Sequence, residues 1–491
     1  MPRIFLSLMA MVFVVTACGP AQTTITNPQA SYFEKPSFQS INRFGKGTSP
    51  DINKRADGRH GVAILLPISS EDESVRNLAM ELFRAIELAM FDLDRDDLVL
   101  ILEDTKGTPD GARAAAQIAI RKGAEIIIGP LFSASVRAVA DETTRAAIPV
   151  LALSNDRRVA EPGVWVIGQL PEQTLDRIIQ YATQNGLTRF AALLPDNEYG
   201  TRLSEYIEPV INEYGGTLVA LETYPNDAEK MFEPAQKIAF FKQRKTAHKN
   251  ERERLLNQAR LILPEIKDEA TLIKTLKVDA KPLFDAIQAL ERTETIGEIP
   301  YDAVLIPDGG LSLRNVSPLL PYFDIDPKFV QFLGSGLWDD VSLLNEPPLN
   351  GGWYPAPNPA GWELLSRHYN RAYGAEPPRL VSLVYDAVSL VGTLLAQDQA
   401  TPFAFQNMIQ PDGFIGIDGP FRLSPDGTNE RSFAIMQIAR KKARVISPAP
   451  TSFAEINQMR QRARAMAEEN AKTSALSWQD RTRPNLSIFA E

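Results

Sequence analysis

The stretch GAEIIIGPLFS, residues 123–133, constrains the fold of this chain more than any other. Glu125 to Ile128 reads as a strand whose β-branched run suits burial on both faces, and Gly129-Pro130 ends it in a turn. Ser133 then opens a helix of small residues, Ala134 to Ala147. The next apolar run, Ile148 to Leu153, ends in the polar turn Ser154-Asn155-Asp156. Two successive strands therefore end in small polar residues on one edge of a parallel sheet, the edge at which α/β folds hold ligands.

The same alternation extends in both directions. Val62 to Leu66 and Leu98 to Leu102 are strands, and between them apolar residues recur at helical spacing from Val75 to Met90. Pro109-Asp110-Gly111 opens an alanine-rich helix, and Val164 to Ile167 closes the first series. A second series follows: helix 172–185, strand Phe190 to Leu194, helix 201–214 stopped by Gly215-Gly216, strand Leu218 to Glu222, then strands at 301–306 and 329–333. Such repetition predicts an α/β protein with two doubly wound lobes. Residues 227–298 interrupt the second lobe with a lysine-, arginine- and glutamate-rich helical stretch, which reads as a solvated excursion or as a partner-binding surface. Near the end, Phe421 to Leu423 and Phe433 to Ile438 flank the turn Ser424-Pro425-Asp426-Gly427 and predict a hairpin.

The first residues are not part of this pattern. Arg3 precedes an apolar stretch, Ile4 to Val15, that is short for a membrane span. Val15-Thr16-Ala17-Cys18 resembles the lipobox of bacterial lipoproteins, with Cys18 as the acylated residue and 1–17 as a signal peptide. Gly19, in place of an aspartate, implies by that resemblance sorting to the inner leaflet of the outer membrane, facing the periplasm. Residues 18–59 are rich in Pro, Thr, Ser and Asn and read as a flexible tether with a mean reach of about 35 Å. Cys18 is the one cysteine among 491 residues, so the exported domain depends on core packing and not on disulfides.

Taken in order, several segments resemble the type I periplasmic binding proteins of the Leu/Ile/Val-binding class. They are similar in particular to the penicillin-binding protein activator lipoproteins. The segments are Leu65-Leu66-Pro67-Ile68-Ser69, the run from Asp104 to Ala112, the stretch from Gly123 to Leu131, and Ile148 to Asn155. Tyr199-Gly200, Tyr385-Asp386-Ala387-Val388 and the run from Gly416 to Arg422 complete the set. The resemblance implies a hinged pair of lobes, 60–172 with 354–418 and 173–353 with 419–445; beyond it, the residues themselves read as a C-terminal helix and tail at 446–491. It implies a ligand cleft between them. It also implies a non-enzymatic role, stimulating a bifunctional penicillin-binding protein, with partner contacts sought in 227–298 and the tail. The alternative is the substrate-binding lipoprotein of an ABC importer for amino acids or related small molecules.

Candidate cleft residues follow from strand ends and from the resemblance: Ser69, Ser133, Ser154 and Asn155 in the first lobe, Tyr199 and Asp308 in the second. Hydroxyls and free helix amides suit a carboxylate, while an ammonium needs an acid. Ser133 is equally a helix N-cap, and Ser154-Asn155 equally a turn. Around Phe332 to Trp338 the first acids are Asp339 and Asp340, out of register for an ammonium; either the ligand is not an ordinary amino acid, the cleft is degenerate, or Asp308 substitutes.

Other classes find little support. The net charge of −9 argues against a general nucleic-acid binder. The three histidines, His60, His248 and His368, lie in unrelated segments, and no Cys/His spacing fits a metal. No nucleophile elbow or Walker loop is present, so no catalytic residue, metal or cofactor is expected.

Overall fold

The computed structural model describes residue 55 and residues 57–482, with side chains through Asn470. The signal peptide, Cys18 and most of the expected tether lie outside the described residues. In chain order the first series is β1 (His60–Leu66), α1 (Glu73–Leu93), β2 (Leu98–Asp104), α2 (Pro109–Arg121), β3 (Ala124–Ile128), α3 (Ser133–Ala146), β4 (Val150–Ala152) and β5 (Val164–Val166). These strands form a five-stranded sheet, order β2-β1-β3-β4-β5, paired in parallel throughout.

The period of two along each strand sorts its side chains into two cores. Val62, Ile64 and Leu66 of β1 join one cluster, and Ala63 and Leu65 join the other. Both faces are covered, which is why the strands read as unbroken apolar runs. Gly129, just past β3, has φ +98°, and a Cβ there would lie 2.3 Å from the Leu65 carbonyl oxygen. Only glycine lets the chain turn against β1 at that point.

The second series is α4 (Pro171–Gln184), β6 (Arg189–Pro195), α5 (Glu198–Glu213), β7 (Thr217–Tyr224), α6 (Phe232–Ile238), α7 (Phe241–Ile262), α8 (Glu269–Asp279), α9 (Lys281–Leu290), β8 (Ala303–Leu305), α10 (Gly310–Val316), β9 (Gln331–Leu333) and β10 (Trp353–Ala356). The chain then returns to the first lobe as α11 (Pro359–Tyr373) and α12 (Val381–Ala396), whose apolar side chains join the Val62 cluster. Next come β11 (Phe414–Gly416), β12 (Gly419–Leu423), β13 (Asn429–Arg431), β14 (Ala434–Ala439), β15 (Lys442–Ser447) and α13 (Phe453–Thr482). The second sheet has seven strands, order β15-β14-β10-β9-β8-β6-β7, with β14 antiparallel to β10 and β15 antiparallel to β14. Its strands again split by period: Ala191 and Leu193 face one core, Phe190, Ala192 and Leu194 the other.

Three expectations shift. The hairpin across Ser424–Gly427 pairs β12 with β13, not with Phe433–Ile438; the latter run becomes β14 and joins the second sheet. Two apolar runs flank that turn, but the short polar strand at Asn429 is adjacent in register and its buried amide is used at the hinge. Tyr354–Ala356 belongs to the second sheet, so the return to the first lobe begins after β10. Phe414, Phe421 and Leu423 pack in the first lobe's core, so the final entry into the second lobe comes near β14 and not at 419.

The excursion 227–298 divides in two. Met231, Ala235, Ile238 and Ala239 pack into the core of the second lobe. Beyond them α7, α8 and α9 build a core of their own from Leu255, Leu256, Ala259, Leu272, Leu276 and Ile287. Among the described residues no helix is long and apolar enough to cross a membrane.

Candidate functional site

The C-terminal edges of both parallel sheets face a cavity of about 440 Å³. The first lobe contributes Leu131, Phe132, Ser133, Leu153, Ser154 and Asn155, with Arg379 and Leu380 just before α12 and Leu383 in its first turn. The second contributes Pro171, Thr174, Tyr199, Gly336 and Leu337, and the crossover between lobes adds Gly168 and Gln169.

Four expected residues therefore meet in one place. The N-cap of α3 is Phe132, and no side chain caps the helix. Ser133 is instead the first helical residue, and its hydroxyl lies 3.1 Å from that of Ser154. The Ser154 hydroxyl also accepts the Asp156 N–H at 3.1 Å, which holds the turn after β4. Facing them, the Tyr199 hydroxyl donates to Ser335 Oγ at 3.1 Å, and burial raises the phenol above its ordinary pKa. Tyr199 is positioned by the start of α5, where Asn197 caps the Gly200 N–H at 2.9 Å. A Cβ on Gly200 would lie 1.8 Å from the Pro195 carbonyl oxygen, so the helix can start this close to β6 only with glycine.

Two expected residues lie elsewhere. The Ser69 hydroxyl and N–H both donate to Asp104, tying the end of β1 to β2. Asp308 is buried at the end of β8, but its carboxylate accepts from the Tyr224 hydroxyl at 2.6 Å and from the Gly309 N–H at 2.8 Å. Neither lines the cavity. Conversely, Phe132, Gln169, Thr174, Leu337 and Arg379 line it without having been singled out. Arg379 lies far in sequence from the other cleft residues, and no local pattern marks it.

Arg379 is a clamp. Its guanidinium reaches Asp418 at 2.7 Å, Asp339 at 3.4 Å and the Ser382 hydroxyl at 2.9 Å, and it stacks 4.6 Å above the Trp362 ring. Asp339, expected to be out of register, thus serves a cation of the protein. Further pairs bridge the lobes: Arg202 on α5 lies 3.2 Å from Asp156, while Arg158 beside Asp156 pairs with Glu198. Burial alone would raise the Asp156 carboxyl, but hydrogen bonds from Arg158 and the charges of Arg158 and Arg202 hold it at about 2. The Arg158 hydrogen bond lowers Glu198 as well.

The crossovers are stitched together. Asn429 Nδ2 donates to the Val166 and Gly168 carbonyls at 2.7 and 2.8 Å, and Arg431 Nε donates to the Ile167 carbonyl at 3.1 Å. Arg431 lies 3.4 Å from Asp386, both nearly inaccessible, and Asp386 accepts the Ile417 N–H at 2.6 Å. This arrangement joins the crossover segments near a cavity of about 440 Å³, large enough for a small molecule. Among the described residues no cluster of His, Cys, Asp and Glu could hold a metal.

The family profile described as periplasmic binding protein matches residues 62–239. The crystal structure of a putative branched-chain amino acid ABC transporter from Rhodospirillum rubrum superposes with a TM-score of 0.58 at 13% identity, covering 79% of this chain and all of that one. An ABC transporter substrate-binding protein from Sphaerobacter thermophilus gives 0.55 at 15% identity, covering 81% and 99%. A substrate-binding protein from Desulfitobacterium hafniense in complex with Leu gives 0.51 at 16%, covering 79% and 100%. The fold is that of the type I periplasmic binding proteins. Among curated proteins, the uncharacterized protein RP748 of Rickettsia prowazekii is 25% identical over 188 residues, 38% of this chain and 49% of that relative, so the matched stretch spans about half of the relative's length.

Proposed function

We propose that the chain is a periplasmic ligand-binding protein that closes two lobes over a small organic molecule and performs no chemistry on it. The observation that carries this is the shared cavity, where Ser133 and Ser154 of one lobe face Tyr199 and Leu337 of the other. The solved relatives include ABC transporter substrate-binding proteins, which favours delivery of a solute to an importer. Native mass spectrometry of the purified full-length protein tests the binding role. A co-purifying small molecule, lost in a Ser133→Ala/Ser154→Ala double variant that still folds, is the expected result; a bound mass unaffected by those substitutions contradicts it. Acylation at Cys18 would hold the protein at its membrane, and Cys18→Ser should release it into the soluble periplasmic fraction.

A second function, contact with a bifunctional penicillin-binding protein, is favoured by the helical module α7–α9. It carries its own core, and its first helix bears the exposed cations Lys242 and Lys249. Co-purification of such a synthase, abolished by Lys242→Glu/Lys249→Glu, supports this role. Synthase capture that is unchanged by those substitutions removes the module from it.

A further inference from the structure

We infer that α13 is a strap across the two lobes. Its first two turns are fastened to the β12–β13 ribbon and its next two to the second lobe, and the stiff helix between limits how far the lobes can part. Lobes joined through short crossover segments turn against each other unless something rigid bridges them.

The ribbon goes with the first lobe. Phe421 and Leu423 pack in that lobe's core. Trp165 Nε1 of β5 donates to the Ser424 carbonyl at 2.8 Å, and the Val166 N–H donates to the Gly427 carbonyl at 2.9 Å. Against this ribbon α13 lays its first turn. Phe453 is buried, and a Cβ on Gly413 would lie 2.7 Å from its ring, so the ring sits directly on the backbone ahead of β11. Arg422 of β12 covers the ring at 4.4 Å and donates through Nε to Glu430 of β13 at 2.8 Å. Glu430 also accepts from Arg460, one turn before the helix changes lobes.

The following turns belong to the second lobe. Arg460 Nε lies 3.5 Å from Asp176 on α4, so one guanidinium holds a carboxylate of each lobe. Ala463 joins the core built by α4, α5 and β6, and Arg464 donates to Glu213 at 2.8 Å. Gly215 backs on to Ala467 so closely that a Cβ on the glycine would come within 2.9 Å of the alanine methyl. Little slack remains at the junction. The cavity that Ile456, Met459 and Arg460 share with α4, Ser432 and Phe433 measures about 20 Å³, room for about one water.

Phe453 to Ala467 spans about 21 Å of helix at 1.5 Å per residue. A helix free of proline bends only gently over that length, so a turn of one lobe against the other must break the ties at one end. Loosening either end therefore releases the same motion, even where the altered residues lie wholly on one lobe.

Interlobe distances from double electron–electron resonance test the strap. Spin labels at Gln117→Cys on α2 and Lys328→Cys before β9, both exposed positions, report the separation in the full chain carrying Cys18→Ser. Arg202→Ala/Glu198→Ala is present throughout, so the charged bridge beside the cavity does not hold the lobes. Phe453→Ala/Glu430→Gln frees the first-lobe end, and Arg464→Ala/Ala467→Leu frees the second-lobe end. Each should broaden the distance distribution and move its mean in the same sense by about 3 Å or more, the displacement that a turn of about 10° gives at about 20 Å from its axis. A variant of either kind that keeps its helical circular dichroism and matches the fastened protein overturns the strap, as do shifts of opposite sense. No solute is added, so the outcome is separate from whether the cavity binds one.

Discussion

The Arg202 guanidinium lies 3.2 Å from the Asp156 carboxylate, joining α5 of the second lobe to the turn after β4 in the first. With Arg158 and Glu198 it forms a four-charge bridge beside the cavity. The bridged arrangement depends on both carboxylates being ionised. Both pKa values are depressed in this state, so the contribution is complete above the ordinary carboxylate range near 4 and is lost as pH falls, for Asp156 through about 2. Small-angle scattering should show a larger radius of gyration below pH 3. Arg202→Ala/Glu198→Ala should give the same expansion at pH 7, and salt should mimic part of it. A radius independent of pH, salt and substitution would remove the bridge from lobe closure.

The buried pair at the hinge behaves in the opposite sense. Burial pushes the Asp386 carboxyl above its ordinary value, against the pull of Arg431. Its stabilising contribution is therefore full below about pH 4 and declines as pH rises through the raised folded-state value. Arg431→Ala should cost about 3–5 kcal/mol in urea unfolding at pH 8, and less at pH 5, where Asp386 can be neutral.

Gly200→Ala should shift the start of α5. With 1.8 Å to the Pro195 carbonyl oxygen, the new methyl must push the helix away from β6, at about 1–3 kcal/mol. Tyr199 moves with that turn, so ligand affinity should fall together with stability. Denaturant titration and calorimetry on one preparation check both.

The helical module should unfold on its own terms. Leu256→Ala or Leu276→Ala removes a side chain from a six-residue core and should cost about 2–5 kcal/mol locally. Hydrogen exchange should rise within 241–290 and stay unchanged in β1, β3 and β6. Equal loss of protection in the lobes would show that the module is not an independent unit.

Much of this architecture was legible because parallel strands are apolar on both sides and announce themselves as runs such as Val62–Leu66 and Ile126–Ile128. The edge that holds the cavity was legible for the same reason, since Ser133, Ser154, Asn155 and Tyr199 follow strand ends. Position at an edge does not decide which neighbour a side chain meets. Ser69 and Asp308 also follow strand ends, yet Asp104 takes the first, while Tyr224 and Gly309 engage the second. Arg379 was invisible because it reaches the cavity through a tertiary crossing. β13 was invisible because its worth lies in Asn429 and Arg431 binding the first crossover, and not in apolar periodicity.

The terminal helix α13 packs on the second lobe and is also tied to β12 and β13, where the Arg422 guanidinium stacks 4.4 Å from the Phe453 ring and Arg460 donates to Glu430. Ile456 and Ala463 are buried, Arg460 lies 3.5 Å from Asp176 on α4, and Arg464 donates to Glu213 at 2.8 Å at the end of α5. Its 30 residues correspond to a rod of about 45 Å. If the second lobe turns against the β12–β13 ribbon, the rod either holds the two together or gives up one set of ties, and a turn of about 10° that it follows displaces its far tip by roughly 8 Å. Occupancy of an internal cavity would thereby be displayed as a displacement far outside it, where another molecule can sense it.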